Sequence, residues 1–172
     1  HGWNERNGGN VSLLLEEPQV KEYVDSAVLR EIPTGFSCPA LEGKYFLVIN
    51  AGNIDKDWAH LTKQAEKFDV KLTNVSDKYA AIAVQGPESK EMLMKLAGGK
   101  QLTPENVKNA LNSLTMEGKP VRIAKTGYTG EPIGYELYCN SEDARYFWDR
   151  LIELGAKPTA LGARDTTRME AS

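Results

Sequence analysis

Apolar and polar residues alternate along this chain in short blocks whose periods predict its elements. Val11-Ser12-Leu13-Leu14-Leu15 predicts a strand, and Lys44-Tyr45-Phe46-Leu47-Val48-Ile49-Asn50 predicts the clearest one. That second run is β-branched and aromatic, bounded by Gly43 and by Asn50-Ala51-Gly52, and reads as buried on both faces. Between them, Pro18, Pro33, Gly35 and Pro39 favour turns and extended chain. From Asn53 to Phe68 the apolar residues Ile54, Trp58, Leu61, Ala65 and Phe68 recur every three or four positions, the period of one helical face. Val70 to Val75 and Tyr79 to Val84 read as paired strands joined through Ser76-Asp77-Lys78. Pro87 suits the first position of a helix from Glu88 to Leu96 that ends at Gly98-Gly99. A strand from Pro120 to Lys125 leads into the glycine-rich turn Thr126 to Gly134, and Tyr135-Glu136-Leu137-Tyr138 returns as its neighbour. The pattern closes with a helix from Ser141 to Leu154, serine-capped with Glu142 and Asp143 in its first turn, and a last helix from Thr159 to Ala171. Strands and helices alternate without a repeated βαβ spacing, which predicts an α+β fold with a mixed or antiparallel sheet packed with helices.

Composition narrows the classes of function. The 172 residues carry 21 Lys plus Arg against 24 Asp plus Glu, a net charge of −3, with the signs interspersed rather than gathered into a basic stripe. A nucleic-acid surface is not expected. No apolar run reaches the length of a membrane span, so a soluble protein without a membrane partner is expected. Cys38 and Cys139 lie far apart in a chain rich enough in apolar residues to fold without staples, which predicts a reduced, cytoplasmic setting. His1 in place of Met, and a final segment that stops within a helical pattern, read as the ends of a piece of a longer chain.

Three segments could carry chemistry, and each has a plain structural alternative. Asn50 ends a buried strand and offers a donor and an acceptor; equally, Asn50 and Asn53 could close a turn and cap the next helix. Thr126-Gly127-Tyr128-Thr129-Gly130-Glu131, with Glu136 beyond it, is a turn whose glycines let the backbone come close to a ligand. A carboxylate such as Glu136 can hold a pterin-like edge through two parallel hydrogen bonds, or can simply sit on a solvated face. Arg164 and Arg168 stand one helical turn apart and would suit a polyanionic tail, or pair with Asp165 and Glu170 at the surface.

Taken together, Lys44 to Asp57, Gln85-Gly86-Pro87, Gly127-Tyr128-Thr129-Gly130-Glu131 and Gly162-Ala163-Arg164-Asp165 resemble the aminomethyltransferase (T-protein) of the glycine cleavage system in content, order and approximate spacing. The likeness covers about residues 44–171 and implies a partial folate-binding domain over 44–172. It implies a tetrahydrofolate-dependent one-carbon transferase whose partner is the lipoyl carrier H-protein. In the pocket, Val48 and Asn50 would line the folate site, Tyr128 would pack on the folate, Glu136 would bind the pterin edge and Arg164 would contact the folate. The family's essential aspartate has no counterpart in Ile32-Pro33-Thr34-Gly35, so no catalytic residue is assigned and the chain alone is expected not to turn over. The turn with Pro132 and Ile133 is about one residue longer than the usual family form, the Gly155 to Leu161 connection is shorter, and Lys108 stands where the family has a tyrosine.

Residues 1–43 read differently. Gly2-Trp3-Asn4-Glu5-Arg6-Asn7-Gly8-Gly9-Asn10-Val11-Ser12-Leu13 resembles the amino-terminal part of rhamnulose-1-phosphate aldolase, a zinc-dependent class II enzyme, and the likeness runs to about Val48. On that reading Asn7, Gly8, Gly9 and Asn10 would contact a substrate phosphate through backbone N–H groups. The chain then reads as a join of two genes within Gly43 to Val48, with an aldolase-like fragment as one alternative function and a non-catalytic folded domain as another. His1 and His60, the chain's two histidines, cannot build an aldolase zinc site, so no metal ligand is assigned.

Overall fold

The computed structural model describes residues 11–16, 44–49, 51–103, 110–127, 129 and 131–170. Among them are seven strands: β1 (Val11–Glu16), β2 (Lys44–Ile49), β3 (Lys71–Asn74), β4 (Tyr79–Gln85), β5 (Leu111–Met116), β6 (Lys119–Ala124) and β7 (Gly134–Asn140). Four helices accompany them: α1 (Ile54–Ala65), α2 (Ser89–Leu96), α3 (Ala144–Glu153) and α4 (Leu161–Glu170). The expected proline-interrupted stretch from Pro18 to Pro39, and the boundary at residue 43, lie outside the described residues.

The strands form two antiparallel sheets, one in the order β2-β1-β3 and the other in the order β4-β7-β6-β5. The fold is therefore α+β, as the absence of βαβ spacing predicts. β1 lies between β2 and β3, with Leu13 opposite both Leu47 and Asn74, so the strand of the front segment is built into the same sheet as the strand ending at Ile49. β3 and β4 were expected to pair, but β3 joins β1 and β4 joins β7. The reason is local: Ser76–Lys78 forms a 3-10 turn instead of a hairpin loop, and it carries the chain from one sheet to the other.

Alternation along the strands sorts the cores. On the four-stranded sheet Ile82, Val84, Val121, Ile123, Leu137 and Cys139 face α2 and α3, which contribute Leu93, Leu96, Phe147 and Leu151 to one continuous cluster. Leu93, Ile123, Leu137 and Phe147 are 0% exposed, and each side chain of this size removed from water contributes about 1.5–3 kcal/mol. On the three-stranded sheet Leu47 packs with Ile49, Leu72 and the Ile54, Trp58 and Leu61 face of α1. The opposite faces of the two sheets meet where Val48 packs against Val75, Leu111, Ala124 and Tyr138. The order of layers is thus helix, sheet, sheet, helices.

Two helix limits depart from the residue pattern. α1 ends at Ala65 rather than Phe68, because Lys67 and Phe68 donate to Gln64 and Ala65 in tight three-residue turns. Ser141 does not cap α3: its hydroxyl donates to the Asp77 carbonyl at 2.9 Å, and a 3-10 turn over Ser141–Asp143 precedes the helix. α2 does end at Gly98-Gly99, both in the left-handed region at φ 65° and 80°, where an L side chain would be strained.

Candidate ligand-binding site

On β7 the residues that point away from the helical core are Gly134, Glu136, Tyr138 and Asn140. Glu136 lies in register with Ala83 of β4 and Ala124 of β6, and Tyr138 with Ala81 and Arg122. The Arg122 guanidinium in turn lies 5.0 Å from the centre of the Tyr79 ring, within the range of a cation–π contact.

The half-buried Glu136 carboxylate is held from two directions. Thr126 donates its hydroxyl to Oε2 at 2.6 Å, and Tyr138, itself 1% exposed, donates its phenol to the same oxygen at 2.9 Å. Two hydroxyl donors fill the acceptor sites of that oxygen. No hydrogen bond to Oε1 is seen among the described residues, which leaves that oxygen to accept from another donor. A ligand presenting an N–H edge would find it pre-aimed, at a smaller loss of side-chain freedom than a mobile surface glutamate.

The turn that supplies Thr126 is anchored by Gln85, the last residue of β4. Its Nε2 donates to the Thr126 carbonyl at 3.2 Å and to the Tyr135 carbonyl at 2.9 Å. Gly86 adds a backbone bond to the Ile133 carbonyl at 3.1 Å. On the helical side of the same sheet lies a separate cleft of about 430 Å³, lined by Lys90, Met94, Leu102, Lys125 and Tyr135.

Of the residues expected at a folate site, Val48 and Glu136 fall on the same inter-sheet face: Val48 packs with the cluster that contains Tyr138, whose hydroxyl holds Glu136. Asn50 and Tyr128 lie outside the described residues. Arg164 stands in α4, and its side chain too lies outside them. Asn7, Gly8, Gly9 and Asn10, expected at a phosphate, are likewise outside. Tyr138 was not picked out as a site residue, and Thr126 and Gln85 entered only as parts of the glycine-rich turn and of the Gln85-Gly86-Pro87 likeness, with no role of their own. Tyr138 has a local signal, since it stands two residues from Glu136 and so shares its face of a strand. Gln85 is 41 and 50 residues from its partners, and no local pattern joins them.

Among the described residues no group of three or more His, Cys, Asp or Glu is placed to hold a metal ion. Nor is any described helix long and apolar enough to cross a membrane.

The described residues thus form a two-sheet α+β fold in which Thr126 and Tyr138 hold the Glu136 carboxylate. Comparison with known proteins makes it specific. The family model described as the GCVT N-terminal domain matches residues 38–172, and the chain belongs to that family. An aminomethyltransferase of Deinococcus deserti is 46% identical over 134 residues, 76% of this chain and 36% of the relative. An aminomethyltransferase of Staphylococcus carnosus is 44% identical over 131 residues, 74% of this chain and 35% of the relative. The chain therefore spans about a third of the length of these curated relatives. Among solved structures, the glycine cleavage system aminomethyltransferase T from Bartonella henselae superposes with a TM-score of 0.70 at 25% identity, covering 94% of this chain and 48% of that one. A heterotetrameric sarcosine oxidase from Corynebacterium sp. U-96 shares the fold, with a TM-score of 0.52 at 15% identity over 87% of this chain and 83% of that one.

Proposed function

We propose that this chain is the folate-binding portion of a glycine cleavage system aminomethyltransferase. The reaction it serves passes the aminomethyl carbon from the lipoyl arm of a carrier H-protein to tetrahydrofolate, giving methylene-tetrahydrofolate and ammonia. The observation that carries the reading is the Glu136 carboxylate: Oε2 is fixed by Thr126 and Tyr138, while Oε1 is left to accept from the N–H edge of a pterin. Val48 and Tyr138 supply an apolar wall beside it. Asn50, Tyr128 and Arg164 complete the proposed folate set by family likeness, with Arg164 suited to the anionic tail.

The family's aspartate has no match in Ile32-Pro33-Thr34-Gly35, so the chain binds folate without turning over its reaction. A cytoplasmic setting fits the buried free thiol of Cys139. The aldolase alternative gains no support from the named relatives, which are aminomethyltransferases.

Isothermal titration of 5-formyl-tetrahydrofolate into the full chain tests the reading. Saturable one-to-one binding, weakened by Glu136→Gln, is expected. Heat that never saturates, or equal affinity in the two proteins, would remove the folate assignment.

A further inference from the structure

We infer that Gln85 is a positioning residue for the Glu136 site, acting through Thr126 and the glycine-rich turn. The inference rests on the reading of Glu136 as the carboxylate that meets the ligand. Gln85 sits where β4 ends, and its carboxamide reaches across to both ends of the 126–134 segment. One Nε2 holds the carbonyl of Thr126 at the start and that of Tyr135 just past the end. With the Gly86 to Ile133 backbone bond, the base of the turn is closed against the tip of β4.

The same amide explains two glycines. A Cβ built on Gly127 would lie 2.2 Å from Gln85 Oε1, and one on Gly134 would lie 2.1 Å from it. Neither glycine has the left-handed backbone that usually demands the residue. What these positions require is room for the Gln85 carboxamide. Its Oε1 is buried without a hydrogen-bond partner among the described residues, a placement that a purely stabilising glutamine would not favour.

The consequence runs to the site. Thr126, whose carbonyl Gln85 holds, is the residue whose hydroxyl donates to Glu136. Release of that carbonyl lets Thr126 rotate, and Glu136 then loses the shorter of its two hydrogen bonds. Gln85 touches no ligand itself; it sets the aim of the group that does.

The test is a double-mutant cycle on the full chain, with 5-formyl-tetrahydrofolate affinity measured by calorimetry. Gln85→Met keeps the side-chain length and removes both donations, and is expected to weaken binding about tenfold. With Glu136→Gln already present, adding Gln85→Met should change affinity by less than about twofold, because the group it aims is gone. An equal loss in both backgrounds would make Gln85 a general packing residue and overturn the inference, as would unchanged affinity in the single variant. Should Gln85→Met not fold, Gln85→Glu, which keeps the shape without the donor, takes its place.

If the unmodified chain shows no saturable binding, it is the folate reading that fails. Gln85 is then judged by NMR amide exchange without ligand. Gly127 and Gly134 should exchange about tenfold faster in Gln85→Met while Leu137 and Phe147 keep their rates. Unchanged exchange at the two glycines would overturn the positioning role.

Discussion

Replacing Gly134 by alanine would place a methyl group 2.1 Å from Oε1 and 2.8 Å from Cδ of Gln85. Both distances are far inside contact, and the glutamine is pinned by its own hydrogen bonds, so the carboxamide must leave. Its departure removes bonds of 2.9 and 3.2 Å and strands the carbonyls of Tyr135 and Thr126 in a half-buried setting. At about 1 kcal/mol for each bond, with a further penalty for the stranded carbonyls, Gly134→Ala should cost about 2–3 kcal/mol. The usual gain from replacing glycine within a strand, about 0.5–1 kcal/mol, offsets part of it. For a chain of this size the net loss of about 1–2.5 kcal/mol should lower the melting temperature by about 2–10 °C. Urea denaturation read by circular dichroism measures the change directly. The decisive comparison is the same substitution made on Gln85→Ala, where the obstructing amide is gone and Gly134→Ala should be neutral or slightly stabilising. Additive losses in the two backgrounds would show that Gly134 is needed for some reason other than Gln85.

Other outcomes follow from the same coordinates. Phe147, 0% exposed against the four-stranded sheet, should cost about 3–5 kcal/mol when cut to alanine, measured by the shift in urea midpoint at constant slope. Glu117, in the left-handed conformation at the β5–β6 turn, accepts from Arg150 and Tyr146, and these hydrogen bonds hold its carboxyl down at about 2 against an ordinary 4.5. Because the folded value is depressed, its contribution is full above pH 4.5 and fades as pH falls from 4.5 toward 2. Stability measured over that window should therefore drop less steeply in Glu117→Gln, and parallel curves would rule the effect out. Burial pushes the Cys139 thiol up to about 11, so in a Cys38→Ser background it should react with iodoacetamide at pH 8 only as fast as the chain opens. Reaction at the rate of an exposed thiol would contradict the packing around it.

Periodicity made most of the elements legible: the three- and four-residue spacing of α1 marks the face that Ile54, Trp58 and Leu61 pack against the three-stranded sheet, and Val121 and Ile123 of β6 alternate with more exposed neighbours. β5 escaped notice because Asn112 and Ser113 interrupt its apolar pattern. In the fold Asn112 is buried, and its Nδ2 donates to the Leu102 carbonyl at 2.7 Å, a partner that the local residues do not announce. β3 and β4 look like a hairpin by proximity, yet their partners lie far away along the chain, Asn74 opposite Leu13 and Gln85 opposite Gly134. The site shows the same division. Glu136 stands out as an acid in a strand beside a glycine-rich turn, whereas its orientation depends on Thr126, and that of Thr126 on Gln85. The pairings of β7 with β4 and with β6 bring those three together.

The face of β7 that carries Glu136 is where the pterin is expected to dock, and NMR shift mapping with 5-formyl-tetrahydrofolate reads this residue by residue. Perturbations should concentrate at Ala81, Ala83, Ala124, Glu136 and Tyr138, which share the inter-sheet face. Shifts confined to Lys90, Met94 and Leu102, around the cleft on the helical side, would place the ligand elsewhere and contradict the assignment.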